Sequence, residues 1–337
     1  MEVATRFIVP VTENSQVGEA RRVAARLATS IGFDETAAGK VAIVVTELAT
    51  NLIKHTAQGG DLIIQSAIRQ GKTGLEIVSI NKSPGTHNAQ IWLKDGFSTS
   101  STLGTGLGAV QRLSNTFDMH SDIEHGTAIF SRMLHEQASA SWFDIGAVII
   151  PKSGELVCGD NWCAVEDGRR VSLIVADGLG HGIEAFEASA KAIELFRTMA
   201  FDDSLRTLER LHRELKGTRG AAISLVTIDQ LENELLFAGL GNVVGVIDYG
   251  DTRRHLVPDS GTVGYEMRKP RLHKMNWSKN STVTLHSDGC SSNWNLNTYA
   301  ELKDRSAALI SAVLYRDYSK NYDDVTIVSM KNCRDAA

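Results

Sequence analysis

Between Ala37 and Leu52 apolar side chains return every three or four residues, at Ala37, Val41, Val44, Val45, Leu48 and Leu52, a period that gives a helix one buried stripe. The same reading predicts helices over 15–30 and 34–55, strands at 62–69 and 75–81, a glycine-bearing loop, a short helix over 107–113 and a strand at 128–134. One sheet with helices on one face is the layer that this order favours. Further along, the pattern predicts strands at 144–150, 171–176, 222–229, 235–238, 243–248, 283–286 and 325–330, with helices over 184–200, 204–215 and 299–314. Antiparallel sheets flanked by helices are the natural packing for that second order. The stretch His135 to Ser141, HEQASAS, is small and polar between two β-like runs, so we place a domain boundary there and expect domains over 1–136 and 142–333. A length of 337 residues agrees, being long for one compact core.

Composition changes this picture little. Hydrophobic residues at 42% and charged residues at 22% argue against a disordered or fibrous chain. The net charge of -5 hides no basic half, so neither nucleic acid nor an anionic membrane is an expected partner. The longest apolar stretches, around 145–150 and 171–176, are strand-sized, and the first thirteen residues lack a signal-peptide core; a cytoplasmic location is the expectation. The four cysteines, Cys158, Cys163, Cys290 and Cys333, have no histidines at zinc-ligand spacing and are expected to be reduced and mostly buried.

Chemistry in the first half centres on Glu47 and Asn51, four residues apart at the edge of the helical stripe. An Asn carbonyl is a hard ligand suited to Mg²⁺ held mainly by nucleotide phosphates, and a carboxylate one turn away can orient or deprotonate an attacking hydroxyl. Taken alone, such a pair more often faces solvent. The second element is LGTGLG at 103–108, followed by AVQRL. Glycines before a helix N-terminus let backbone N–H groups cradle a phosphate; a mobile loop is the alternative. A dinucleotide fingerprint is excluded, because the preceding FSTSST at 97–102 is a polar loop and not a strand.

Together these residues resemble the Bergerat-type (GHKL) ATP-binding fold, and within it the small serine kinases that switch bacterial stress-signalling complexes, the stressosome switch kinase branch. The likeness covers about 7–134 and is most specific over DGFSTSSTLGTGLGAVQRL at 95–113. Glu47, Leu48, Asn51 and His55 match the first box of the family, and Gly126-Thr127 the last. The resemblance implies ATP with Mg²⁺: Asn51 holding the ion, Glu47 assisting the substrate hydroxyl, Gly104, Gly106 and Gly108 covering the phosphates, and Asn81, Gly85 and Thr127 completing the nucleotide site. One departure stands out. Where the family carries Asp-x-Gly-Pro-Gly to receive the adenine amino group, this chain reads Asn81-Lys82-Ser83-Pro84-Gly85. The amide still accepts a hydrogen bond, without charge assistance and with Ser83 in place of a glycine.

In the second half four acidic residues stand where predicted strands end in turns: Asp160 in CGDNW, Asp177 in VADGLGHG, Asp288 in HSDG and Asp323 in DDVT. Any one Asp-Gly pair is commonly an ordinary turn, yet carboxylates from separate strand ends can converge on one pocket and bind hard divalent cations. In this order they resemble the metal-dependent PPM protein phosphatases, specifically the SpoIIE-like bacterial branch with its short stressosome feedback phosphatases, over about 143–331. TRGAAISLV at 218–226, GLGNV at 239–243 and SGTVGYEMRKP at 260–270 support the match. The resemblance implies two Mg²⁺ or Mn²⁺ ions: Asp177 bridging them, the Gly178 carbonyl and Asp160 completing one, Asp288 with Asp323 completing the other, and Asp324 outside the set. His181 is either the proton donor to the departing oxygen or a surface histidine. Arg219 is either a phosphate contact or a solvent-facing arginine. Gly241, Asn242, Trp277 and Trp294 are assigned to turns or packing.

The expected fold class is therefore α+β, a Bergerat-type α/β sandwich followed by an αββα sandwich. Three functions fit the resemblance. In the first, a two-activity enzyme phosphorylates and dephosphorylates serine or threonine on a STAS-type anti-sigma antagonist or a stressosome-type scaffold protein. In the second, only the phosphatase acts and the front domain senses nucleotide or binds a partner. In the third, the front domain sequesters a sigma factor.

Overall fold

The computed structural model describes residues 6–69, 71–86, 106–136, 141–320 and 322–333. They form two compact units, one of Met1–Ser139 with Asn295–Asp317 and one of Ala140–Trp294 with Tyr318–Ala337.

The first unit begins with β1 (Arg6–Val11), α1 (Asn14–Ser30) and α2 (Glu35–His55), continues through β2 (Gly60–Arg69), β3 (Lys72–Asn81) and α3 (Gly106–Leu113), and then runs into β4 (Thr116–Asp122) and β5 (Gly126–Leu134). The strands form one sheet in the order β1-β2-β3-β5-β4, antiparallel throughout. Asp34 starts α2 by accepting from the Ala37 N–H at 2.7 Å, satisfying one of the free donors of the first turn. The stripe Val41, Val44, Val45, Leu48 and Leu52 then packs with Leu27 of α1 and with Leu62, Ile64, Leu75 and Ile77 of the sheet. On length and apolarity α2 would suffice to cross a membrane, but that apolar stripe lies in the core of this unit.

Period-two alternation sends Ile63, Gln65, Glu76, Val78, Phe130 and Arg132 to the opposite face of the sheet, where they too are buried. Glu76 accepts there from Arg132 Nε at 2.8 Å and from Gln65 Nε2 at 2.8 Å, as a carboxylate out of water must.

The second unit is built of β6 (Phe143–Ile150), β7 (Asp160–Asp167), β8 (Arg170–Gly178), α4 (Ile183–Arg197), α5 (Ser204–Glu214), β9 (Ala221–Asp229), β10 (Glu234–Leu240), β11 (Val244–Asp248), β12 (Arg253–Leu256), β13 (Gly261–Thr262), β14 (Glu266–Met267), β15 (His273–Asn276), β16 (Thr282–His286) and β17 (Val325–Asn332). Two five-stranded sheets, β15-β10-β9-β8-β7 and β12-β11-β16-β17-β6, share a core that includes Val171, Val175, Phe237, Trp277, Val283 and Val328. α4 and α5 cover the outer face of the first sheet through Ile193, Phe196, Leu208 and Leu211. Mixed α and β layers in both units match the expected class.

One expectation needs correction. The helix predicted over 299–314 is α6 (Ala307–Tyr318), preceded by 3₁₀ turns at Leu296–Thr298 and Leu302–Asp304; Glu301 has φ 57°, which interrupts any regular helix there. The compact units group Asn295–Asp317 with the first unit. Within that unit the Ser306 N–H donates to Asp118 Oδ2 at 2.6 Å, and His120 Nε2 lies 2.9 Å from the Ala300 carbonyl.

Candidate functional site

In the second unit the cross-strand register of β7 and β8 puts Asp160 opposite Asp177. β8 ends at Gly178, where a Cβ would stand 2.0 Å from the Ala185 carbonyl oxygen of α4; only a glycine admits so close a crossing. The Asp288 turn follows the same logic, since a Cβ at Gly289 would stand 2.0 Å from the Asp324 carbonyl oxygen. That crossing carries Asp288 to the end of β17 where Asp323 lies. Asp177, Asp288 and Asp323 consequently line one open pocket of about 380 Å³ together with Lys152, His181 and Asn242.

Electrostatics tie Asp160 to the same cluster. Burial pushes its carboxyl up to about 7, with Asp324 and Asp288 adding to the rise and Ser287 and Thr326 opposing it. Asp177 is raised well above the usual carboxylate range by burial and by the charges of Asp160, Asp288 and Asp323. One oxygen of Asp160, Oδ2, is buried with no hydrogen-bond partner, a costly arrangement for an acceptor that nothing binds. Hard oxygen donors, an orphaned acceptor and mutual repulsion together fit divalent cations such as Mg²⁺ or Mn²⁺. The carboxylates are linked by charge and by the pocket, while no group of three or more His, Cys, Asp or Glu side chains among the described residues is placed to hold a metal ion in this structure.

Asp324 has a separate task. Its Oδ1 accepts from the Lys152 N–H at 2.8 Å and its Oδ2 from the Gly159 N–H at 2.9 Å, so it pins the loop that delivers Asp160. His181 Nδ1 lies 2.6 Å from Glu155 Oε1, while the imidazole borders the pocket. Arg219 pairs with Glu184. Asn242, assigned to a turn on sequence, instead donates from Nδ2 to Asp288 Oδ2 at 2.6 Å. Lys152, Glu155 and Asn242 are the residues that sequence reasoning passed over; GLGNV held the one visible signal, and nothing marked the other two. Trp277 and Trp294 are buried packing residues, and all four cysteines are free.

In the first unit Glu47 meets the start of α3, where a Cβ at Gly106 would stand 2.6 Å from Glu47 Oε2. Asn51 lies one turn further along α2, and Gly108 is buried in α3. Gly104 lies outside the described residues. Asn81 and Thr127 are register partners on β3 and β5. Thr127 Oγ1 is 2.9 Å from Ser121 Oγ, and the Gly85 N–H donates to the Asp122 carbonyl at 3.0 Å. The side-chain amide oxygen of Asn81, Oδ1, is turned onto its own loop, accepting from the Ser83 N–H at 3.1 Å, while Ser83 Oγ accepts from the Ala57 N–H at 3.2 Å. The serine that replaces a glycine thus ties this loop to the end of α2.

Comparison with known proteins also finds two parts, and the second match runs unbroken through the residues 295–317 that the compact units group with the first. The profile described as histidine kinase-like ATPase domain matches residues 10–132, and that described as stage II sporulation protein E (SpoIIE) matches residues 167–332. The phosphoserine phosphatase RsbX of Bacillus subtilis (strain 168) is 30% identical over 139 residues, spanning 41% of this chain and 70% of RsbX. The serine/threonine-protein kinase RsbT of the same organism is 33% identical over 110 residues, spanning 33% of this chain and 82% of RsbT. A crystal structure of RsbX in complex with magnesium superposes with a TM-score of 0.53 at 25% identity, covering 58% of this chain and 98% of that one. The chain therefore belongs to both families, with an RsbT-like histidine kinase-type ATPase domain and an RsbX-like, SpoIIE-type PPM phosphatase domain fused on one polypeptide.

Proposed function

We propose that the second unit dephosphorylates phosphoserine or phosphothreonine on a STAS-type regulatory protein or stressosome-type scaffold, and that the first unit phosphorylates the same class of partner from ATP and Mg²⁺. The phosphatase reading rests on one observation above others: Asp177, Asp288 and Asp323 line a single pocket and Asp160 stands opposite Asp177 in the sheet, an arrangement in which burial first and then the three other carboxylates raise the Asp177 carboxyl. Asp160, Asp177, the Gly178 carbonyl, Asp288 and Asp323 would hold two Mg²⁺ or Mn²⁺ ions. When bound, such ions neutralise phosphoryl charge and lower the pKa of a water so that it can attack phosphorus. The protein's own part is to seat the phosphate and manage the proton. Lys152 supplies a cation on the pocket wall for the phosphoryl oxygens. Glu155 holds Nδ1 of His181, which leaves Nε2 as the atom to pass a proton to the departing serine or threonine oxygen.

For the first unit, Glu47 at the entry to α3 supports the kinase reading, with Asn51 holding Mg²⁺ and Glu47 orienting the substrate hydroxyl. A second reading, nucleotide sensing without transfer, draws on Asn81 Oδ1, which already accepts from the Ser83 N–H and so offers the adenine amino group a shared acceptor. Two assays on the full chain separate these. Chelation should abolish phosphate release from a phosphoserine STAS-domain protein and Mn²⁺ or Mg²⁺ should restore it; release that persists in chelator contradicts the phosphatase reading. Incubation with γ-labelled ATP and the unphosphorylated protein should transfer label under chelation-free conditions in an Asp177→Asn background, where hydrolysis of the product to inorganic phosphate is blocked. Nucleotide binding without transfer would favour the sensing role.

A further inference from the structure

Asp288 is held from two sides: Asn242 Nδ2 donates to its Oδ2 at 2.6 Å, and Lys320 Nζ donates to its main-chain carbonyl at 2.6 Å. The placement of Asn242 is built into the turn after β10. Gly241 has φ 102°, and a Cβ there would stand 2.4 Å from the Ala222 Cβ, so the turn is pressed against β9. The Gly241 N–H donates to the Asp259 carbonyl at 2.9 Å. On the other side Val243 is buried, and its carbonyl accepts from Ser224 Oγ at 2.6 Å. With both neighbours fixed, the Asn242 side chain is presented to the pocket from an anchored backbone. A carboxylate oxygen calls for the NH₂ end of the amide, which has donors only.

We infer that Asn242 is a positioning residue of the phosphatase site: it occupies Asp288 Oδ2 and so fixes Asp288 as a one-oxygen ligand, with Oδ1 the atom offered to a divalent cation. The inference rests on the phosphatase reading above. Hydrogen bonds to a ligating carboxylate set its orientation and basicity, and their loss commonly weakens metal affinity by about 10- to 100-fold. A replacement that restores a donor at the same reach should therefore restore affinity, whereas a residue that merely fills the turn would not need one.

Mn²⁺ binding to the full-length chain, followed by electron paramagnetic resonance of the free ion, tests this without any assay of turnover. Asn242→Ala should weaken binding by about 10- to 100-fold, and Asn242→His, whose Nδ1–H can reach Asp288, should recover most of it. Melting in chelator should be nearly the same for all three proteins. Asn242→Ala binding as tightly as the parent, while Asp177→Asn abolishes binding, would overturn the positioning role alone. Binding that ignores Asp177→Asn would remove the phosphatase reading and this inference with it. A marked loss of melting temperature in Asn242→Ala that Asn242→His does not repair would make the residue structural and also overturn the role.

Discussion

Asp324 shows how much one buried carboxylate can organise. It is 3% exposed and accepts two main-chain N–H groups from the loop before Asp160. Asp324→Ala would leave the buried Gly159 N–H and the half-buried Lys152 N–H without their acceptor, at a cost of about 1–3 kcal/mol; urea unfolding of the full chain should register that loss, and Asp324→Asn, with one acceptor oxygen, should lose less. The neighbouring acids were legible in the sequence because each stands at a strand end beside a glycine or a second acid. Lys152, Glu155 and Asn242 were not, because they come from loops that meet the acids only after the chain has folded over itself. Asp324 was set apart from the ligand set on sequence, but its hold on Gly159 left no local signal, since it depends on a contact 165 residues away in sequence.

At the scale of elements, the strands missed in the sequence share one property. β1, β4, β7, β12 and β15 are all sheet edges. Edge strands carry proline, charge and polar residues that blunt their open side, as Pro10 does in β1 and the run DNWCAVED does in β7, so period-two alternation fades there. Central strands are buried on both faces and read clearly. β6 is the edge that was found, through its apolar run IGAVII. On β4, His120 is 2% exposed and its pKa is lowered, chiefly by burial, with Arg316 and Arg305 pushing the same way and the Ala300 carbonyl and Asp122 opposing. A histidine kept neutral by the fold binds its proton more readily when unfolded, so stability is lost as pH falls below about 6.5, by at most about 1.4 kcal/mol per pH unit. Asp160 and Asp177, raised chiefly by burial, gain protons in the folded state over the same range and act in the opposite direction, so the contribution of His120 shows only as a difference between proteins. From pH 7.5 to pH 5.5, denaturant unfolding should show the parent losing more stability, or gaining less, than His120→Gln.

For the whole molecule, sequence order and compact units do not coincide. Residues 295–317 lie between Asp288 and Asp323 in the chain, yet group with the first unit, where Tyr299 stacks on His125 with ring centroids 4.5 Å apart. The polar stretch 135–141 was read as a boundary from composition, whereas the return of a later segment to β4 left no mark in the local pattern. A fragment ending at Glu136 would lack that segment and with it the bonds that Asp118 and His120 of β4 make to Ser306 and Ala300. It should lose hydrogen-exchange protection in β4, compared with the full chain. Retained protection in the fragment would show that the first unit does not need the segment.

The central claim is that the acids of the second unit act as one cation-dependent site. Its most direct test is the rate at which the full chain releases phosphate from a phosphoserine STAS-domain protein in Mn²⁺, measured for the parent, Asp177→Asn and Asp288→Asn. We predict that each substitution lowers the rate by at least about 100-fold, as expected when a two-metal site loses a ligand, with the fold intact by circular dichroism. Parent-like rates in both variants would contradict the account.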